Sequence, residues 1–119
     1  MPQDRLVECV PNFSEGRNSE VVRDIVSNIP RCGCDLLDVE SDPSHNRSVV
    51  TYIGTPEDAM EAAFECAKRA SELIDMERHQ GAHPRIGATD VIPFVPVQGV
   101  TMDECVRMAR EVGARISRE

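Results

Sequence analysis

At 119 residues the chain is long enough for one domain with a buried core and short for two. Apolar residues at 40% and charged residues at 29% exclude a disordered or fibrous polymer, and no apolar run approaches the roughly 20 residues that span a bilayer. With 13 basic against 21 acidic side chains the net charge is −8, which repels phosphate backbones and sets nucleic acid aside as a partner.

Leu6 to Val10 is a short apolar run stopped by Pro11 and predicts a first strand, and the following PNFSEGRN has the composition of a loop. Asn18 is placed to cap a helix whose apolar positions Val21, Val22, Ile25, Val26 and Ile29 recur at helical spacing, ended by Pro30 and Gly33. Asp35 to Glu40 and Arg47 to Gly54 read as the two strands of a hairpin, separated by the turn formers SDPSHN. Thr55 and Pro56 open a second helix, with a small-residue stripe through Ala59, Ala62, Ala63, Cys66, Ala67, Ala70 and Leu73. Arg78 to Asp90 is then a loop, since Gly81, Pro84 and Gly87 oppose any regular element. Val91 to Val97 is strand-like, pushed towards a sheet edge by Pro93 and Pro96. Thr101 to Glu104 is a capping box before a last helix carrying Val106, Met108, Ala109, Val112 and Ile116. The order predicts an α+β fold, a ferredoxin-like split βαβ sandwich with βαββαβ order plus a C-terminal helix, formed by residues 1–119 as a single domain with one open sheet face.

The N-terminus lacks the pattern of a secretory signal, so the expected location is cytoplasmic, with no membrane partner. The odd, scattered Cys9, Cys32, Cys34, Cys66 and Cys105 suit free thiols in a reducing compartment. Cys32-Gly33-Cys34 lacks the second pair that a zinc site needs, and His79 and His83, four apart, are not on a helix, so no metal is expected.

The chemistry concentrates in the loop RHQGAHPRIGATD. An imidazole is suited to taking a proton from a nucleophile and returning it to a leaving group, and His83, held between Ala82 and Pro84, is a stiffer candidate than His79. Its orienting acid is Asp90, Asp38 or Glu40, the last two on one face of their strand. Arg47 and Arg85 are candidates to hold a carboxylate through paired hydrogen bonds. The alternative for each polar group is an ordinary solvated surface position.

Three stretches are specific beyond these patterns: VECVPNFSEGRN at Val7 to Asn18, NRSVVTYIG at Asn46 to Gly54, and LIDMERHQGAHPRIGATDVIPFVPVQGVTMDEC at Leu73 to Cys105. Together they resemble the N-terminal subdomain of glutamate formiminotransferase over nearly the whole chain. The resemblance implies transfer of a formimino group between N-formiminoglutamate and tetrahydrofolate in histidine degradation, with tetrahydrofolate as co-substrate and glutamate as product. It implies His83 of the GxHPR motif as the acid–base residue. It further implies Asn12, Ser14 and Glu15 of the PNFSEG motif, together with Arg47, Arg85 and Asp90, as groups lining the substrate site. Glu40 stands where the family usually has aspartate, and is a secondary candidate. Family members continue into the rest of the N-terminal subdomain, most of which this chain resembles, and into a second, similar subdomain, with folate in a channel between the two. The expected partner is therefore a second subdomain chain or a homodimer copy, and the alternative is a non-catalytic ligand-binding or assembly domain.

Overall fold

A computed structural model describes residues 5–73, 89–91 and 93–118. The elements in chain order are β1 (Leu6–Cys9), β2 (Asn12–Phe13), α1 (Ser19–Val26), α2 (Asn28–Arg31), β3 (Asp35–Asp42), β4 (Arg47–Gly54), α3 (Pro56–Leu73), β5 (Thr89–Val91), β6 (Phe94–Gln98) and α4 (Met102–Arg118). Among the described residues, six strands make one antiparallel sheet. Both β1 and β2 pair with the same edge of β4, while β6 pairs with β1 and β5 with β2. They therefore act as two interrupted strands, and with β3 on the far edge of β4 the lateral order is β5/β6, β1/β2, β4, β3. That is the strand order of the ferredoxin-like α+β fold expected from the pattern of elements.

Local boundaries differ from the reading of the sequence in several places, three of which have a clear physical cause. Asn12 and Phe13 lie in the predicted loop, yet form β2, because their register with Val49 and Ser48 continues the β1–β4 ladder past the break at Pro11. Thr89 and Asp90 close the predicted loop but belong to β5, and the last strand is split in two, with Pro93 falling in the gap. Helix α1 ends at Val26, earlier than Pro30, and Pro30 sits inside the short α2. A first-turn proline loses no intrahelical bond, so it can be kept there.

Side chains on the strands alternate between two environments. Val7, Cys9, Phe13, Val50, Tyr52 and Phe94 point to the helix side and are buried in one core with Val22, Ile25, Ile29, Ala59, Ala62, Ala63, Cys66, Ala70, Cys105, Met108 and Val112. The alanine stripe of α3 lets that helix lie close to the sheet, and Tyr52, the largest fully buried side chain, donates its hydroxyl to the Ala59 carbonyl at 2.8 Å. The bond spares the buried phenol an unsatisfied donor. The five cysteines are free thiols, and burial pushes Cys9 and Cys34 up to about 12, so they stay neutral members of the core. No helix among the described residues is long and apolar enough to cross a membrane.

Arg47, Val49, Thr51 and Ile53 of β4 alternate with the buried positions and lie on the opposite face, which no described helix covers. This open face is the setting of the candidate site.

Candidate active site

The β2–α1 loop and the β3–β4 turn, 30 residues apart in the chain, are clamped together at one end of the sheet. Gly16 makes the approach possible. A Cβ there would stand 2.5 Å from both the nitrogen and the oxygen of the Arg47 backbone and 2.6 Å from the Asp42 carbonyl, so a side chain has no room. The Gly16 N–H donates to Asn46 Oδ1 at 2.9 Å, and Arg17 Nε donates to the Pro43 carbonyl at 2.8 Å. The Ser48 hydroxyl, fully buried, donates to the Glu15 carbonyl and lies 2.9 Å from the Ser41 hydroxyl. Asn46 adopts a left-handed φ of 52°, a conformation that asparagine tolerates better than most residues.

Glu15 shapes this loop. One of its carboxylate oxygens accepts the backbone N–H groups of Arg17 at 3.0 Å and Asn18 at 2.9 Å. Asn18 in turn caps α1 by accepting from Glu20 and Val21. The PNFSEGRN stretch thus ends in a rigid, hydrogen-bonded entry into a helix.

Of the residues singled out in the sequence, the register brings Asn12, Glu40 and Arg47 to one face. Asn12 and Glu40 flank Val49 from opposite sides, and Arg47 lies opposite Asp42 one step further along. Directly paired residues in an antiparallel ladder have Cα atoms about 4.5–5.5 Å apart. A guanidinium, an amide and a carboxylate are therefore within a few side-chain lengths of one another on the open face. Asp38 shares that face, opposite Thr51, and is further from Arg47 than Glu40 is. Asn12 Nδ2 donates to the Val10 carbonyl at 3.3 Å, which ties its side chain to the break between β1 and β2. Ser14 lies in the clamped loop, half-buried.

His45 is paired with Asp42 at 2.7 Å in the exposed turn, and its hydrogen bond holds the Asp42 carboxyl below the usual range. Among the described residues no three His, Cys, Asp or Glu side chains gather as a metal-binding group. His79, His83 and Arg85 lie outside the described residues, and of Asp90 only its place in β5 is described. That place is informative, because Thr89 pairs with Phe13 and Val91 with Asn12, which puts the end of the histidine-bearing segment beside the PNFSEG strand.

Reading the sequence missed Gly16, Arg17, Asn46 and Ser48 as the groups that weld loop to turn. Gly16 and Asn46 carried a signal, since both are residue types that relieve backbone constraint, but their partners lie too far along the chain for spacing to link them.

Comparison with known proteins adds to this geometry. Residues 6–119 match the family model of the formiminotransferase domain, N-terminal subdomain. The chain is 58% identical over 116 residues to the formimidoyltransferase-cyclodeaminase of Sus scrofa, covering 97% of this chain and 21% of that protein. It is 52% identical over 118 residues to the glutamate formimidoyltransferase of Streptococcus pyogenes serotype M1, with 97% and 39% covered. It is also 52% identical over 117 residues to that of Thermoplasma acidophilum, with 96% and 38% covered. The chain thus spans well under half the length of these relatives.

Proposed function

The chain belongs to the formiminotransferase family, N-terminal subdomain, and from that membership we propose that it supplies the acid–base face of a glutamate formimidoyltransferase. The reaction moves a formimino group between N-formiminoglutamate and tetrahydrofolate, which is a co-substrate, without a metal. The observation that carries this reading is identity of 52–58% with proteins named for the reaction, sustained over nearly the whole of this chain.

Chemically, the amidine-like carbon passes through a tetrahedral intermediate. One group must remove the proton of the attacking folate nitrogen, and one must protonate the departing glutamate nitrogen. His83 serves both steps, alternating between base and acid. Asp90 or Glu40 fixes its tautomer. Arg47 and Arg85 hold substrate carboxylates, Asn12 and Ser14 offer neutral hydrogen-bonding groups, and Glu15 sets the loop that presents them. In support, the open sheet face carries Asn12, Glu40 and Arg47 together, and His83 is only six residues before the strand that pairs with β2. Residues 1–119 form one domain of the enzyme, and a second subdomain chain or a homodimer copy closes the folate channel over the open face. The reading includes a cytoplasmic location, a reducing setting that five free thiols suit.

Calorimetric titration of the chain with N-formiminoglutamate and, separately, with tetrahydrofolate tests the proposal. Saturable binding of N-formiminoglutamate that weakens about tenfold or more in Arg47→Ala is expected. Absence of binding to either compound, in this chain and in a complex that supplies the second subdomain, would remove the substrate assignment.

A further inference from the structure

Strand β3 (Asp35–Asp42) borders the sheet and is exposed at every residue. One edge pairs with β4, and among the described residues the other makes no ladder, leaving a row of backbone donors and acceptors unmatched. On the helix side, Leu36 lies opposite Tyr52 and Val39 opposite Val50. Tyr52 and Val50 are completely buried, whereas Leu36 and Val39 remain 40% and 36% exposed, so the helix layer covers β3 only in part. Leu37, at the register shift between Leu36 and Asp38, is 55% exposed. On the other side, Asp38, Glu40 and Asp42 share the open face with Asp35. The edge is thus apolar towards the helices, acidic towards the open face, and regular from Asp38 to Asp42.

We propose that this edge is a docking site for an extended polypeptide segment in which Lys or Arg alternates with aliphatic residues, adding a strand to the sheet beyond β3. Strand addition satisfies the unmatched backbone groups, while alternating pockets select the side chains. The basic residues of the incoming segment fall opposite Asp38 and Glu40, where opposite charges across a ladder stabilise, and its aliphatic residues cover Leu36 and Val39. Charge decides the occupant. A second copy of this chain would set Asp38, Glu40 and Asp42 against their own counterparts, and with a net charge of −8 two copies repel at long range as well. The inference does not depend on the proposed transfer chemistry.

The test uses the full chain, isotope-labelled for NMR, and three blocked heptapeptides. One alternates lysine with valine, one alternates glutamate with valine, and the third is the lysine–valine peptide with its central valine replaced by proline, which keeps the charge and removes a ladder donor. The lysine–valine peptide is expected to bind at least about tenfold more tightly than either control. Binding should slow amide exchange between Asp38 and Asp42, and both effects should fall in Asp38→Lys and Val39→Lys, each checked for an unchanged urea midpoint. Equal affinity for the proline peptide would show attraction of charge alone and overturn the docking site. So would absence of binding, protection of amides elsewhere, or self-association of the chain that itself protects β3.

Discussion

Gly16 is the residue on which the candidate site turns, because the backbone of the β3–β4 hairpin occupies the space a side chain would take. Backbone atoms cannot step aside as the end of a flexible side chain can. Gly16→Ala is therefore expected to cost about 1–3 kcal/mol in urea unfolding. It is also expected to disturb the NMR signals of Arg47 and Asn46 before those of α4. A loss confined to a few tenths would show that the loop and the turn are less tightly welded than described. Residue placement was partly legible in the sequence. Strand alternation alone put Asp38 and Glu40 on one face, and the ladder bears that out. The welding by Gly16, Asn46 and Ser48 was not legible, since it depends on contacts between residues 30 or more positions apart.

At the scale of elements, local chemistry spoke most clearly where it closes on itself. The box read at Thr101 to Glu104 is made as expected: Glu104 N–H donates to Thr101 Oγ1 at 3.1 Å, and Thr101 N–H donates to Glu104 Oε1 at 2.9 Å. Arg5 Nη2 adds an ion pair to the same carboxylate at 2.7 Å, tying α4 to the start of β1. Further along α4, Arg115 pairs with Glu61 at 2.8 Å and lies 3.7 Å over the Phe64 ring, which fixes the helix against α3. Thr101→Ala should lower stability by about 0.5–2 kcal/mol while Thr101→Ser leaves it nearly unchanged, read from urea midpoints. Equal loss in both variants would assign the effect to packing of the methyl group. The strands were harder to read. Pro11 and Pro93 mark interruptions in the sequence, but that β2 resumes the ladder after Pro11 and that β5 forms one of its own before Pro93 are tertiary outcomes, set by the register with β4 and β2.

For the whole molecule, exposed ion pairs and caps make stability depend on acid. Hydrogen bonding to Arg69 lowers Asp24, bonding to His45 lowers Asp42, bonding to Arg115 lowers Glu61, and the Thr101 N–H lowers Glu104. Each folded carboxyl ionises below its unfolded value, so its contribution is present above about pH 4 and is lost as pH falls through the folded value. The urea midpoint should accordingly be flat from about pH 7 to 5 and fall below about pH 4, with a shallower fall in Arg69→Met. A midpoint that begins to fall near pH 6.5 would point to histidine titration as the cause.

At the same scale stands the proposal that His83 moves the proton in formimino transfer on a face completed by further polypeptide. The most direct measurement is the transfer rate of a chimera in which residues 6–119 replace the matching part of the Streptococcus pyogenes glutamate formimidoyltransferase, compared with its His83→Ala variant. An active chimera is expected, whose kcat falls by about 100-fold to 10,000-fold in the variant, the span of general acid–base catalysis, with KM for N-formiminoglutamate little changed. An active chimera whose kcat is the same with and without the imidazole would contradict it.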